Sequence, residues 1–145
     1  MMLAILRPDS WDFPLFLHVL GAIAVTGATA VAFAGALSAP RWPWLRGIVA
    51  RTLLVVVFPA WLLMRVAGQW IESKEDIPGD PGWLGVGFIV GDLGLILLIL
   101  ALVFAAISVR RPERRWPNGA VAVITGIYLV ALLVAMFAMS GKPGA

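Results

Sequence analysis

Residues 83–109 read WLGVGFIVGDLGLILLILALVFAAISV, an apolar run in which Asp92 is the single charged side chain. A helix rises about 1.5 Å per residue and needs about 20 apolar residues to cross a hydrocarbon core of about 30 Å. The run is long enough for that, and it lacks the alternating pattern of a membrane β-strand. It therefore predicts a transmembrane helix.

Three further apolar runs, at about residues 13–38, 48–71 and 118–139, accompany it. We therefore predict an all-α, four-helix transmembrane bundle, and we assign residues 1–145 to one transmembrane domain because no loop is long enough for another. Composition agrees: 61% of residues are hydrophobic and 13% charged, against about 45–50% and about 25% in soluble domains. A soluble chain this short could not bury so much apolar surface.

The basic residues predict the orientation. One end of the bundle carries seven arginines, in two loops and an adjoining helix end: Arg41, Arg46, Arg51, Arg110, Arg111, Arg114 and Arg115. The other end carries Arg7, Lys74 and Lys142. Because cytoplasmic loops are rich in arginine and lysine, we expect loops 39–47 and 110–117 in the cytoplasm and both termini outside. The compact, alanine-rich pattern favours a bacterial inner (plasma) membrane.

The first run is expected to stay as a helix, because its basic residues follow it and do not precede it as in a signal peptide. The triplet Arg41-Trp42-Pro43 recurs as Arg115-Trp116-Pro117. This predicts a tandem duplication of one helical hairpin, with the copies related by an axis along the membrane normal. The other interpretation is a chance recurrence of residues that suit the membrane interface.

Ionisable residues within spans are costly, usually paired and often functional. This chain has three, His18, Arg65 and Asp92, and Gln69 lies one turn after Arg65. From the predicted helix ends, they lie roughly 8 Å, 9 Å and 14 Å inside the outer boundary. We therefore predict an Arg65–Asp92 ion pair between the second and third helices, with Gln69 and His18 around it.

Two interpretations of these residues stay open. In the first, Arg65 and Asp92 form a buried clamp that fixes helix register, and His18 donates to a backbone carbonyl or a hydroxyl. In the second, the four residues line a cavity open to the outer face and bind an ion, a proton or a small polar ligand.

Small residues predict close helix packing. Gly21 and Gly27 in the first helix, and Gly87 and Gly91 in the third, let helix backbones approach each other or a partner subunit. We expect these four glycines to serve a homo-oligomer or a membrane partner. Pro59 removes a backbone donor and should kink the second helix before Arg65.

Several functions are disfavoured. The chain has no cysteine and one histidine, which excludes disulfides, thiolate metal sites and a zinc centre with several histidines. No phosphate-binding loop, zinc-protease motif or serine-nucleophile motif occurs, so we assign no catalytic residue and favour a non-enzymatic role. The arginines cluster at helix ends and do not predict nucleic-acid binding.

The stretch Leu17-His18-Val19-Leu20-Gly21-Ala22, followed by Gly27, resembles the first helix of the copper-resistance-D-like membrane proteins. It is also similar to related uncharacterised integral membrane families with a His-Val-x-Gly opening. The resemblance covers about fifteen residues. It implies a multi-helix membrane bundle that handles copper or haem, with His18 as the position carried over.

The sequence thus favours a small transport or ligand-binding membrane component with Arg65, Asp92, Gln69 and His18 as its binding residues, and with no cofactor. One alternative is a redox subunit that binds haem b or copper through His18, paired with Met64, Met136 or a second copy's His18. Another is a non-catalytic subunit that packs against a membrane partner.

Overall fold

The structure is a computed structural model, and it describes residues 12–74 and 82–141. Within these residues it is all-helical, with no strand, and four helical segments are long and apolar enough to cross a membrane. The predicted fold class is confirmed. The helices are α1 (Asp12–Ser38), α2 (Leu45–Thr52), α3 (Phe58–Lys74), α4 (Gly82–Arg110) and α5 (Trp116–Gly141).

The second span comprises α2, a π-helical turn at Leu53–Val57 and α3. In this turn the Phe58 N–H donates to the Leu53 carbonyl, five residues back. Pro59 follows and has no N–H to donate to the preceding turn. The sequence predicts a kink at Pro59, and the structure has a π-helical turn directly before this proline. Prolines and π turns are both among the features that bend helices.

The chain runs up and down, so four helix termini meet at each end. The arginine end holds Ser38, Leu45, Arg110 and Trp116. The loop-two end holds Asp12, Lys74, Gly82 and Gly141.

Around the bundle, α1 lies between the second span and α5, and α4 lies between α5 and the second span. The α4 helix packs closely against α5 and α2 but meets α3 at few positions. The second and third spans are therefore in close contact near the arginine end and separate towards the loop-two end. The two hairpins have the same topology, and their origin by duplication stays a prediction.

The core is built mainly from small and branched side chains, because backbone proximity and van der Waals packing hold helices together in lipid. A contiguous cluster of buried residues from all four spans includes Val25, Leu53, Leu98 and Val121. Gly21 brings α1 against α3, since a Cβ there would lie 2.7 Å from the Met64 backbone nitrogen.

The glycines singled out in the sequence differ in their surroundings. Gly87 faces Met139 of α5, and a Cβ on Gly91 would lie 3.4 Å from Arg65 Cδ. With Gly21 against Met64, three of the four pack within the bundle, whereas Gly27 is exposed with nothing within 4 Å of its Cβ position. Of the four, Gly27 is therefore the one available to an outside partner.

Candidate functional site

Arg65 of α3 and Asp92 of α4 form the ion pair that the sequence predicts. Arg65 Nε donates to Asp92 Oδ1 at 3.0 Å, and Arg65 Nη2 lies 2.9 Å from the same oxygen. Both contacts are on Oδ1, so Oδ2 takes neither. The pair joins the two spans in the half of the bundle where α3 and α4 make few other contacts.

The two partners are buried to different degrees. The side chain of Asp92 is 65% exposed, whereas that of Arg65 is 20% exposed. Arg65 is covered by the ring of Phe88, whose centroid lies 4.9 Å from the guanidinium carbon, a cation–π contact. The carboxylate thus faces outward between α3 and α4, and the guanidinium lies behind it. A fully buried clamp is not what the structure contains.

Trp61 closes the space on the core side of the pair. Its Nε1 donates to the Gly91 carbonyl at 2.9 Å, and its indole stacks on Phe58 with ring centroids 6.1 Å apart. Trp61 lies one turn before Arg65 and is buried. Sequence reasoning missed this residue, although a signal was present: Trp61 lies within a span, and a buried indole N–H needs an acceptor.

His18 of α1 packs against α3. Its Nδ1 is 2.8 Å from the Met64 carbonyl, and the ring packs against Gly68. A carbonyl oxygen can only accept, so Nδ1 is the donor in this bond. Within the described residues, no hydrogen bond or ion pair links His18 to Arg65 or Asp92, whose mutual contacts join α3 to α4.

Gln69 is exposed and lies one turn beyond Arg65 towards the loop-two end. Within the described residues it makes no hydrogen bond to Arg65, Asp92 or His18. The four predicted site residues thus comprise a bonded pair, Arg65–Asp92, a histidine that bonds to the α3 backbone, and a glutamine one turn nearer the loop-two end. Their role in ligand binding stays a prediction.

The described residues contain no group of three histidine, cysteine, aspartate or glutamate side chains that could hold a metal ion. Met136 accepts a contact from Thr26 Oγ1 at 3.6 Å. Thr26 is two turns from His18, about 12 Å along α1. Met136 is therefore too far from His18 to share a haem iron with it.

An open apolar groove of about 420 Å³ lies elsewhere, between α1 and α5. It is lined by Phe33, Ala122, Val123, Gly126, Ile127 and Val130. None of the predicted polar site residues reaches it, and its composition suits lipid chains.

Comparison with protein-family models, curated proteins and solved structures finds no match to this chain.

Proposed function

We propose that this membrane protein binds a small polar or charged solute at the opening between α3 and α4, as a transport or binding component. The observation that carries the proposal is the exposure of Asp92, 65% of whose side chain is uncovered although it lies well inside a span. Asp92 follows the start of α4 by ten residues, about 15 Å along the helix.

Depth makes this exposure significant. A core of about 30 Å takes about 20 residues of α4. If the core is centred on this helix, Asp92 lies about 9 Å below its boundary. Arginine and lysine side chains of this depth can extend to the interface, but aspartate is too short to do so. An exposed carboxylate there needs water, a ligand or a partner, and the scarcity of contacts between α3 and α4 favours a hydrated opening.

The arrangement suits reversible binding. Arg65 holds one carboxylate oxygen, and the other takes neither arginine contact. A cationic or hydrogen-bond-donating group could bind the outer oxygen without breaking the pair. An anionic group would instead compete with Asp92 for Arg65. With the arginine-rich loops in the cytoplasm, this opening faces the outer half of an inner membrane.

The test is the reactivity of single cysteines, which need no background substitutions because the chain has none. Phe88→Cys places a thiol over Arg65 and keeps the ion pair. Ile89→Cys is the matched control at the same depth, on an exposed position of α4. In intact cells a membrane-impermeant anionic methanethiosulfonate should label Phe88→Cys and leave Ile89→Cys unlabelled.

Equal failure of both cysteines to react would contradict a hydrated opening and support a pair covered by lipid or a partner. If Phe88→Cys reacts, protection of this thiol is then measured with small organic ammonium and carboxylate salts. Protection by one charge class and not by sodium chloride identifies the solute class. Absence of protection by any of them would reduce the site to a structural pair in a wet cleft.

A second candidate, a haem-binding redox subunit, is favoured by the hydrogen bond of His18. Metal-ligating histidines almost always donate their second ring nitrogen to a carbonyl or carboxylate, and His18 Nδ1 makes such a bond to Met64. Nε2 would then serve as one axial ligand, and the second would come from Met64 or from the His18 of another copy. An absorbance spectrum of the purified protein with a Soret band lost in His18→Ala would establish this function, and a colourless sample would remove it.

A further inference from the structure

The arginine end of the bundle is strongly basic. Glu113 is the single carboxylate within residues 34–52 and 104–122, all of which the structure describes. Six arginines there are exposed to solvent: Arg41, Arg51, Arg110, Arg111, Arg114 and Arg115. We call these six residues the arginine surface.

A seventh arginine joins the two loops that carry this surface. Arg46 Nη1 donates to the Pro112 carbonyl at 2.7 Å and lies 3.5 Å from the Ser108 carbonyl. On the other side of the bundle, Asn118 Nδ2 donates to the Ala36 carbonyl at 2.7 Å. These bonds fix the start of α2 on the end of α4, and the start of α5 on the end of α1. The two basic loops are thereby brought together on one surface.

Two buried polar atoms at this end of the bundle are still able to form hydrogen bonds. Arg46 Nε and Ser108 Oγ are buried without a hydrogen-bond partner among the described residues. A buried donor without an acceptor is unfavourable. An oxygen-rich group bound between the two loops would accept hydrogen bonds from the exposed guanidinium groups. It would also offer acceptors to the two buried donors.

Exposed tryptophans define the level of this surface in the membrane. Trp42, Trp44 and Trp116 are 58%, 63% and 55% exposed. Tryptophan side chains concentrate at the headgroup level of bilayers. Both loops are short, so the guanidinium groups cannot project far beyond the tryptophans. They therefore lie at the depth of the lipid phosphates.

We propose that the arginine surface is a binding site for anionic glycerophospholipids. Guanidinium groups bind phosphate oxygens through paired, charge-assisted hydrogen bonds, and basic clusters next to membrane spans attract anionic lipids. The acyl chains would lie along the tryptophan-bearing helix ends. A zwitterionic lipid is disfavoured because its ammonium group would meet the same positive field. This site is independent of the solute-binding opening.

The experiment titrates the detergent-purified full-length protein with dioleoyl phosphatidylglycerol and, in parallel, with dioleoyl phosphatidylcholine. Thermal unfolding is followed by tryptophan fluorescence, because a ligand that binds the folded state raises the midpoint. We expect a saturable rise with phosphatidylglycerol alone. Arg110→Gln/Arg111→Gln should weaken the apparent affinity about thirtyfold, given the contribution of each of the two basic residues. Arg7→Gln/Lys142→Gln, which removes the same charge elsewhere, should leave it unchanged.

Equal shifts with both lipids, or an unchanged affinity in Arg110→Gln/Arg111→Gln, would overturn the proposal. The same shift from inorganic phosphate would overturn it in favour of a free oxyanion, and displacement of the lipid by an RNA oligonucleotide would overturn it in favour of nucleic acid. If the double variant does not fold, the titration of the unaltered protein is repeated at high salt. Screening must then abolish the phosphatidylglycerol shift, and a shift that persists would contradict binding through the arginines.

Discussion

At the scale of single residues, the uneven exposure of Arg65 and Asp92 determines how their substitution should act. Asp92→Asn keeps an acceptor for Arg65 and removes a charge that is largely exposed. Since ion pairs exposed to water contribute about 0–1 kcal/mol, the proposed hydrated opening predicts that this variant lowers the free energy of unfolding by less than about 1 kcal/mol.

Arg65→Gln should be more damaging than Asp92→Asn, because it also removes the stem packed on Gly91 and the contact with Phe88. Reversible unfolding of both single variants and the double variant in detergent measures the coupling energy. Single variants that fail to fold, with recovery in the double variant, would show that the pair is a clamp and not a site with an accessible carboxylate.

Tyr128 provides a second test at this scale. Its hydroxyl is buried against Gly94 of α4, without a hydrogen-bond partner among the described residues. A buried hydroxyl without a partner costs about 1–3 kcal/mol. Tyr128→Phe should therefore raise the thermal midpoint, while Tyr128→Leu should lower it by leaving a cavity. A lower midpoint in Tyr128→Phe would reveal a bound water or another acceptor.

The residue scale also shows what a sequence can and cannot predict. The Arg65–Asp92 pair could be predicted because charges within spans need partners at matching depth. The acceptor of His18 could not, because any backbone carbonyl at that depth would serve and Met64 carries no signal. The outward position of Asp92 depends on how far α3 separates from α4, which the sequence of neither helix specifies.

At the scale of elements, the close approach of α1 to α3 beside Met64 depends on the missing side chain of Gly21. A Cβ on Gly21 would lie 2.7 Å from the Met64 nitrogen and 2.9 Å from its Cα. Backbone atoms cannot move aside, so Gly21→Ala should force the helices apart. Overpacking of this kind costs about 1–3 kcal/mol.

Gly27→Ala in the same helix is the matched control for this substitution, because nothing lies within 4 Å of its Cβ position. Thermal unfolding of the purified variants should show a lower midpoint for Gly21→Ala and a midpoint near that of the unaltered protein for Gly27→Ala. If Gly27→Ala is the more destabilised variant, the outward face of α1 packs against something, such as a second copy.

The helices themselves were predictable, because each apolar run is long and uninterrupted. The ends differ by a few residues: the second span begins at Leu45 and ends at Lys74, beyond the predicted range of 48–71. Polar and aromatic residues continue a helix into the interface, where hydropathy no longer marks it. The π turn before Pro59 was not predicted; the sequence predicted a kink there, since proline fixes the missing bond but not how the preceding turn compensates.

At the scale of the whole molecule, the distribution of arginines should set the orientation. Glu113→Cys places a thiol in a loop of the arginine end, and Ser73→Cys places one at the loop-two end; both positions are exposed. In intact cells an impermeant maleimide should label Ser73→Cys at once and Glu113→Cys only after the membrane is permeabilised. The reverse pattern would place the basic loops outside.

The order of the spans around the bundle was beyond the sequence. Apolar helices have weak patterns of inner and outer faces, and packing in lipid is decided by close contacts such as Gly21 on Met64 and Gly94 on Tyr128. Three of the glycines expected to serve a partner are used inside the chain, since glycine spacing does not say which helix approaches.

The bonds of Arg46 to the end of α4 make the arginine end a fixed point about which the second span can tilt. The second span is fastened at Arg46, and Arg65 lies nineteen residues further on, about 28 Å along the axis. Because α3 packs closely on α1 but makes few contacts with α4, a tilt that α1 and α3 share about this end would displace Arg65 from Asp92 more than any pair of residues nearer Arg46.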